Sequence, residues 1–283
     1  MAVDNKGYEN PEVLVDTEWV AAHKDDTNVK LIEVDVDTSS YEDGHIAGAV
    51  AWNWTSQLND PVRRDILSQE AFEQLMSEAG VSNDDTLILY GDNNNWFAAF
   101  AFWIAKMYGH KDVRLMDGGR IKWEGEGREW SKDVSSAQKS SYTAQEADTS
   151  IRSNVREVLD IAQNRDKHLV DVRSPAEFTG EVIAPPGMTE TAQRGGHVPG
   201  AANIPWAKAV NEDGTFKTAD ELREIYGAQG VDNSKPVVAY CRIGERSSHT
   251  WFVLHYLLGF KDCKNYDGSW TEYGSMVGVP IEK

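Results

Sequence analysis

An apolar run, Pro236-Val237-Val238-Ala239-Tyr240, leads into Cys241-Arg242-Ile243-Gly244-Glu245-Arg246-Ser247, and this second segment holds the strongest chemical signal in the chain. A cysteine where a strand passes into a helix meets converging backbone N–H groups and the positive end of the helix, and both favour a negative sulfur. Arg242 and Arg246 add two guanidinium charges. One unit charge about 4 Å away is worth about 4 kcal/mol at an effective dielectric of about 20, enough to bring a thiol from about 8.5 to below neutrality. A thiolate at pH 7 is therefore expected at Cys241. A preformed thiolate is a nucleophile that needs no general base. Many unpaired cysteines are only small buried hydrophobes, but the arginines and the helix-opening loop favour the reactive reading here. Cys263 has no such loop. It lies between Lys261 and Tyr266, in an expected strand, and is assigned to packing.

The elements that must hold this loop occur twice. A shift of 150 residues places Gly80-Val81 on Gly230-Val231, Tyr90 on Tyr240, Phe102 on Phe252, Gly109 on Gly259 and Asp117-Gly118 on Asp267-Gly268. Nearer the start of each half the shift is 152, placing Gly44-His45 on Gly196-His197, and earlier still it is 138, placing Leu31 on Leu169. The chain is an internal duplication. The change of shift leaves 14 extra residues between Phe178 and His197, in the segment containing GEVIAPPGMTETAQR. That insertion is expected to be a surface loop forming a rim or lid over the site, and Pro185-Pro186-Gly187 argues against a helix there.

Lys30–Val34, His168–Val172, Thr86–Tyr90 and Pro236–Tyr240 are short apolar runs that suit buried strands of a parallel sheet. Amphipathic helices follow Ser68 and Thr218, the latter with Glu221 three residues on as a capping box, and Trp96–Tyr108 is apolar nearly all round. A helix is expected from about Ser248 to Leu258. The fold class is α/β, with two domains at 1–130 and 151–283 joined by a polar linker at 131–150 that lacks apolar periodicity.

Twenty-eight Lys+Arg against 46 Asp+Glu give a formal charge of −18. Most of the acidity sits before residue 150, with 13 basic against 28 acidic residues, compared with 15 against 18 after it. With no basic run, neither nucleic acid nor an anionic membrane is an expected partner. Small anions are compatible with this charge, because local arginines dominate a pocket over a Debye length of about 8 Å. The N-terminal MAVDNKGYENPEVLVDTEW lacks a basic region followed by an apolar one, and no apolar run approaches about 18 residues. With two cysteines and no Cys-x-x-Cys pair, the expected compartment is the cytoplasm. No phosphate-binding or dinucleotide fingerprint and no metal-ligand spacing occurs, so neither cofactor nor metal is expected.

The duplication, the DVRSPAEF and GHVPGAANIPW segments, the CRIGERS loop and the YDGSWTEYG segment together resemble the rhodanese family, specifically its bacterial tandem-domain thiosulfate sulfurtransferases. The resemblance covers essentially the whole chain. It implies two rhodanese-like domains, of which only the C-terminal one is catalytic, and a persulfide on Cys241. Gly91 stands 150 residues before Cys241, and the first half contains no cysteine. Thiosulfate would give up its outer sulfur to Cys241 and release sulfite, and cyanide or a thiol would then take the sulfur. The backbone N–H groups of Arg242, Ile243, Gly244, Glu245 and Arg246 would hold the persulfide.

Arg242 and Arg246 are candidates for the sulfonate, since guanidinium presents a planar fork to oxyanions; Arg242 could instead pair with Asp171 or Glu245. Arg173 matches the family's further substrate arginine, with a salt bridge to Glu177 as the alternative. Asp171 and Ser247 are read as supporting residues. Trp270, with Tyr266, either covers the sulfur pocket or packs, and His197 with Pro199-Gly200 reads as a structural turn. Ile243 departs from vertebrate-type loops resembling CRKGVT, which have a lysine there. The sequence allows three rival readings. Phosphatases of this ancestry place the arginine six positions after the cysteine, whereas Arg246 is five after. Mercaptopyruvate sulfurtransferases have loops resembling CGSGVT, and the charged CRIGERS favours an inorganic dianion instead. A sulfur-carrier or redox-regulatory role would require a protein acceptor, which the sequence does not identify.

Overall fold

The computed structural model describes residues 6–135, 137–184 and 191–283. The chain divides into two compact units, one built from Pro11–Asp148 with Glu212–Phe216, the other from Lys6–Asn10, Thr149–Asn211 and Lys217–Lys283. Each is a parallel sheet flanked by helices. In the first unit the strands are β1 Leu14–Val15, β2 Val29–Asp35, β3 Val50–Asn53, β4 Thr86–Tyr90 and β5 Val113–Met116, in the order β1-β5-β4-β2-β3. The second unit has β6 His168–Asp171, β7 Ala202–Asn203, β8 Val237–Tyr240 and β9 Cys263–Tyr266, in the order β7-β6-β8-β9.

The duplication holds in the strand register. Ile32 pairs with Val50 as Val170 pairs with Ala202, Glu33 with Tyr90 as Asp171 with Tyr240, and Leu87 with Val113 as Val237 with Cys263. A one-residue slip would turn every core side chain to the other face, so conserving the pairing conserves the core. The central strands β4 and β8 are buried at every position, which accounts for their unbroken apolar sequences. Helix Trp96–Met107 buries every residue except Trp96 and Lys106. Cys263 takes its expected place in a strand, 2% exposed, and both cysteines are free thiols.

Two segments differ from what their composition suggests. Residues 131–135 and 137–148, expected within a linker, are tied to the first unit by hydrogen bonds. Ser131 and His45 exchange backbone hydrogen bonds at 2.8 and 2.9 Å, Ser140 N–H donates to Ser77 O at 2.9 Å, and Gln145 N–H to Tyr108 O at 3.0 Å. Tyr142 and Ala144 are buried while their neighbours stay polar and exposed, and such isolated anchors leave no periodicity to read. The second is the insertion. Glu181, Val182 and Ile183 are exposed, as expected of a surface loop; Pro185–Glu190, with the Pro-Pro-Gly expectation, lie outside the described residues, and the flank that follows is partly anchored. Ala192 is buried in a cluster with Trp270, the Arg194 guanidinium donates to the carbonyls of Gly274 and Met276, and Trp270 Nε1 donates to Arg194 O at 2.9 Å.

Candidate active site

The β8 strand ends at Tyr240, and the next helix, Glu245–Phe252, begins three residues before the expected Ser248. Gly244 makes the early start possible. It adopts φ +106°, and a Cβ there would lie 2.9 Å from Asp267 Cα, so the strand-to-helix turn closes in four residues. Arg246 therefore sits in the first helical turn. The helix Ser269–Tyr273 secures the turn from behind. Ser269 Oγ accepts the Cys241 N–H at 3.1 Å, Trp270 N–H donates to Cys241 O at 3.1 Å, and Thr271 donates to Arg242 O through its N–H at 3.0 Å and its hydroxyl at 2.8 Å. Asn265 on β9 accepts from Ser247 Oγ at 2.7 Å and donates to Ser248 Oγ at 2.9 Å. Sequence reasoning missed Asn265, Ser269 and Thr271, which are short polar residues whose task depends on a strand and helix distant in the chain.

Cys241 is fully buried. Gly244 N–H donates to Sγ at 3.1 Å, Ser247 Oγ lies at 3.6 Å, and Sγ is 3.2 Å from Glu245 Oε2. Arg246 grips Glu177 with both terminal nitrogens at 3.0 Å, and its Nε lies 3.4 Å from Glu245 Oε1. Glu177 also accepts from the backbone and hydroxyl of Ser174, as the N3 residue of a capping box. That box is visible in Ser174-Pro-Ala-Glu177, but the remaining capacity that receives Arg246 is not. Burial acts to raise the Glu177 carboxyl, and the Arg246 guanidinium outweighs it and holds the group below the usual range.

The expected thiolate at pH 7 is corrected by this geometry. Burial pushes the Cys241 thiol up, the Glu245 charge pushes the same way, and the opposing pull of Arg246, Ser247 and the Gly244 N–H does not compensate. Two arginines stand in the loop, and chain order alone shows no partner for Arg246. In the structure its charge is shared with Glu177 and Glu245. Arg246 is thus brought to the sulfur, but as an ion-paired group with 7% of its side chain exposed.

Arg173 has a different environment. It pairs with Asp171, Nη2 to Oδ2 at 2.6 Å, rather than with Glu177, donates to Gly196 O at 2.7 Å, and lies 4.6 Å over the Trp270 ring. Trp270 is fully buried, and its backbone N–H is bound to Cys241 O, which leaves both of its readings open. Arg242 and Ile243 are both buried, and Tyr266 donates to Glu272 at 2.7 Å. His197 Nδ1 meets Phe178 O at 2.9 Å with its ring stacked on Phe178, in keeping with a structural turn.

The same arrangement recurs in the first unit with its charges moved. Glu33, in the Asp171 position, pairs with Arg120 at 2.6 Å, and Arg120 donates to Gly44 O as Arg173 does to Gly196 O. Arg120 occupies the position of Trp270, and Asp35 that of Arg173. Gly91 replaces the cysteine. A Cβ there would lie 2.3 Å from Val34 O and 2.8 Å from Asp35 Oδ1, so no side chain fits. Asp35 Oδ1 accepts the Asp92 N–H at 2.8 Å, and burial followed by the Asp92 charge pushes the Asp35 carboxyl up to about 10.

A carboxyl raised in the fold favours folding below its unfolded value near 3.9, and this contribution is lost as pH rises toward 10. At about 1.36 kcal/mol per pH unit, the cost near pH 7 has a ceiling of about 4 kcal/mol. Asp35→Asn, which mimics the protonated form, is expected to stabilise the protein at pH 7 and to flatten the decline between pH 5 and 9. Urea denaturation across that range checks it, and an unchanged slope refutes the assignment.

Among the described residues no group of three or more His, Cys, Asp or Glu could hold a metal, and no helix is long and apolar enough to cross a membrane. The rhodanese-like domain family matches residues 16–126 and again 154–276. A protein of Saccharopolyspora erythraea named "Putative thiosulfate sulfurtransferase" is 57% identical over 96% of both chains. The "Sulfur carrier protein TtuD" of Thermus thermophilus is 54% identical over 98% of this chain and 99% of its own. The crystal structure of SseA from Escherichia coli, described as a 3-mercaptopyruvate sulfotransferase, superposes with a TM-score of 0.79 at 28% identity, covering 91% of this chain and 98% of that one. Two matched domains, near full-length relatives and a cysteine loop in the second repeat alone make this chain a tandem-domain member of the rhodanese family of sulfurtransferases.

Proposed function

We propose that the chain is a thiosulfate sulfurtransferase that carries sulfane sulfur on Cys241 to cyanide or a thiol acceptor. The observation that carries this reading is the Gly244 N–H aimed at Sγ from 3.1 Å at the opening of the Glu245–Phe252 helix. A donor so placed stabilises negative charge on Sγ, as it attacks the donor and again as it leaves the discharged persulfide, in the way an oxyanion hole stabilises oxygen. The cysteine sulfur attacks the outer sulfur of thiosulfate, the bond to the sulfonate sulfur breaks, and its electron pair leaves with sulfite. The acceptor then attacks the outer sulfur of the persulfide and releases Cys241. Thiosulfate as donor is supported by the name of the Saccharopolyspora relative. Two free thiols support the cytoplasm as the compartment.

The test compares specificity constants for thiosulfate and 3-mercaptopyruvate, each with cyanide and with a thiol, alongside the intact mass after thiosulfate. Thiosulfate is expected to be the better donor and to add one sulfur atom, and preference for 3-mercaptopyruvate would overturn the donor assignment. The Thermus relative supports a second reading, a sulfur carrier serving a protein thiol. Slow turnover with cyanide but fast transfer from the loaded chain to a protein thiol would favour it.

A further inference from the structure

Resting on that reading, we propose that Glu245 is a catalytic residue, the base that takes the proton from Cys241 as its sulfur attacks and returns it when the persulfide is discharged. Glu245 Oε2 lies 3.2 Å from Sγ, within hydrogen-bond reach, with both residues buried. The carboxylate is not free to turn away, since its other oxygen lies 3.4 Å from Arg246 Nε while Arg246 is clamped on Glu177. A thiol raised by burial needs a proton acceptor at the moment of attack, and this carboxylate is in contact with it. The titratable and charged groups around it include Cys241, Arg242 and Arg246 on the same segment, Glu177 on the helix Pro175–Thr179, and Asp267, which adjoins Gly244 and is itself held by Arg152 at 2.8 Å through both carboxylate oxygens.

The charges balance along the cycle. Before attack the pair is a neutral thiol and a carboxylate; after proton transfer it is a thiolate and a carboxylic acid, with the same total. Thiolate and thiosulfate dianion give a persulfide anion and sulfite dianion, while Glu245 keeps the proton and faces the persulfide as a neutral donor. Attack by cyanide gives thiocyanate and the Cys241 thiolate, to which Glu245 returns the proton. No oxidant or reductant is required. A dianionic donor thus never meets a site carrying both a thiolate and an ionised Glu245.

A base and a mere neighbouring charge predict opposite results in Glu245→Gln. As a base, its loss should slow both iodoacetamide alkylation of Cys241 and single-turnover sulfur loading by about 100-fold near pH 7, with recovery toward the wild type at alkaline pH and little change in the thiosulfate KM. If Glu245 acts only through its charge, removing that charge eases ionisation. Alkylation at pH 7 would then be as fast as in the wild type or faster, which overturns the proposal. Glu245→Asp keeps the charge but draws the oxygen back from the sulfur, so an intermediate loss is expected and wild-type rates again overturn it; this variant decides the matter should the glutamine one not fold. Alkylation requires no sulfur donor. If the wild type takes no sulfur from thiosulfate while alkylation still depends on Glu245, the functional reading fails and the base assignment stands.

Discussion

Cys241→Ser is expected to abolish sulfur transfer, whereas Cys263→Ser is expected to retain most of it. A serine hydroxyl in the same loop is far harder to ionise than a thiol and cannot hold a sulfur atom as a persulfide. Cys263 provides no substitute, for it sits in β9 opposite Val237 and burial pushes its thiol up. Intact mass after thiosulfate treatment should show one added sulfur in the wild type and in Cys263→Ser, and none in Cys241→Ser. Sulfur found on Cys263, or undiminished turnover without Cys241, would remove the mechanism altogether.

The second large effect belongs to Arg246. From sequence its expected role is to grip the donor's sulfonate, which would make Arg246→Ala selectively harmful to thiosulfate. The structure gives it Glu177 and Glu245 instead, all three nearly buried. Removing one partner of a buried ion pair leaves uncompensated charge and costs about 3–5 kcal/mol. Arg246→Ala should therefore lower the denaturation midpoint and depress turnover with thiosulfate and 3-mercaptopyruvate alike. Adding Glu177→Gln removes one of the stranded charges, so the double variant should be more stable than Arg246→Ala alone, a coupling that a double-mutant cycle measures. A loss of about 100-fold confined to thiosulfate, with the midpoint unchanged, would return Arg246 to the sulfonate.

Much of the fold is legible in the chain because the duplication acts as an internal control. A shift of 150 residues aligns β4 with β8 and β5 with β9, and β4 pairs with β5 in the register in which β8 pairs with β9. Continuous apolar strands and the all-apolar Trp96–Met107 helix carry their burial in their composition. Boundaries are less legible. The helix after Cys241 begins at Glu245 because Gly244 takes a left-handed turn close against Asp267, a tertiary constraint. Residues 131–148 look like a linker because two buried side chains in a polar strap make no pattern.

At the site, sequence alone determined the candidate nucleophile, its loop and the repeat that lacks it, since residue type and chain order suffice for each. Only the tertiary structure decided how the charges are shared. Glu177 is 69 residues from Arg246 and makes that candidate substrate arginine an ion-paired group, while Arg173, paired locally with Asp171, is also bound to the carbonyl of Gly196, 23 residues away. Coulomb energy depends on distance and burial, neither of which a list of charged residues contains. The same holds for Cys241, where counting arginines predicts a thiolate while full burial beside Glu245 leaves a thiol with a carboxylate 3.2 Å from its sulfur.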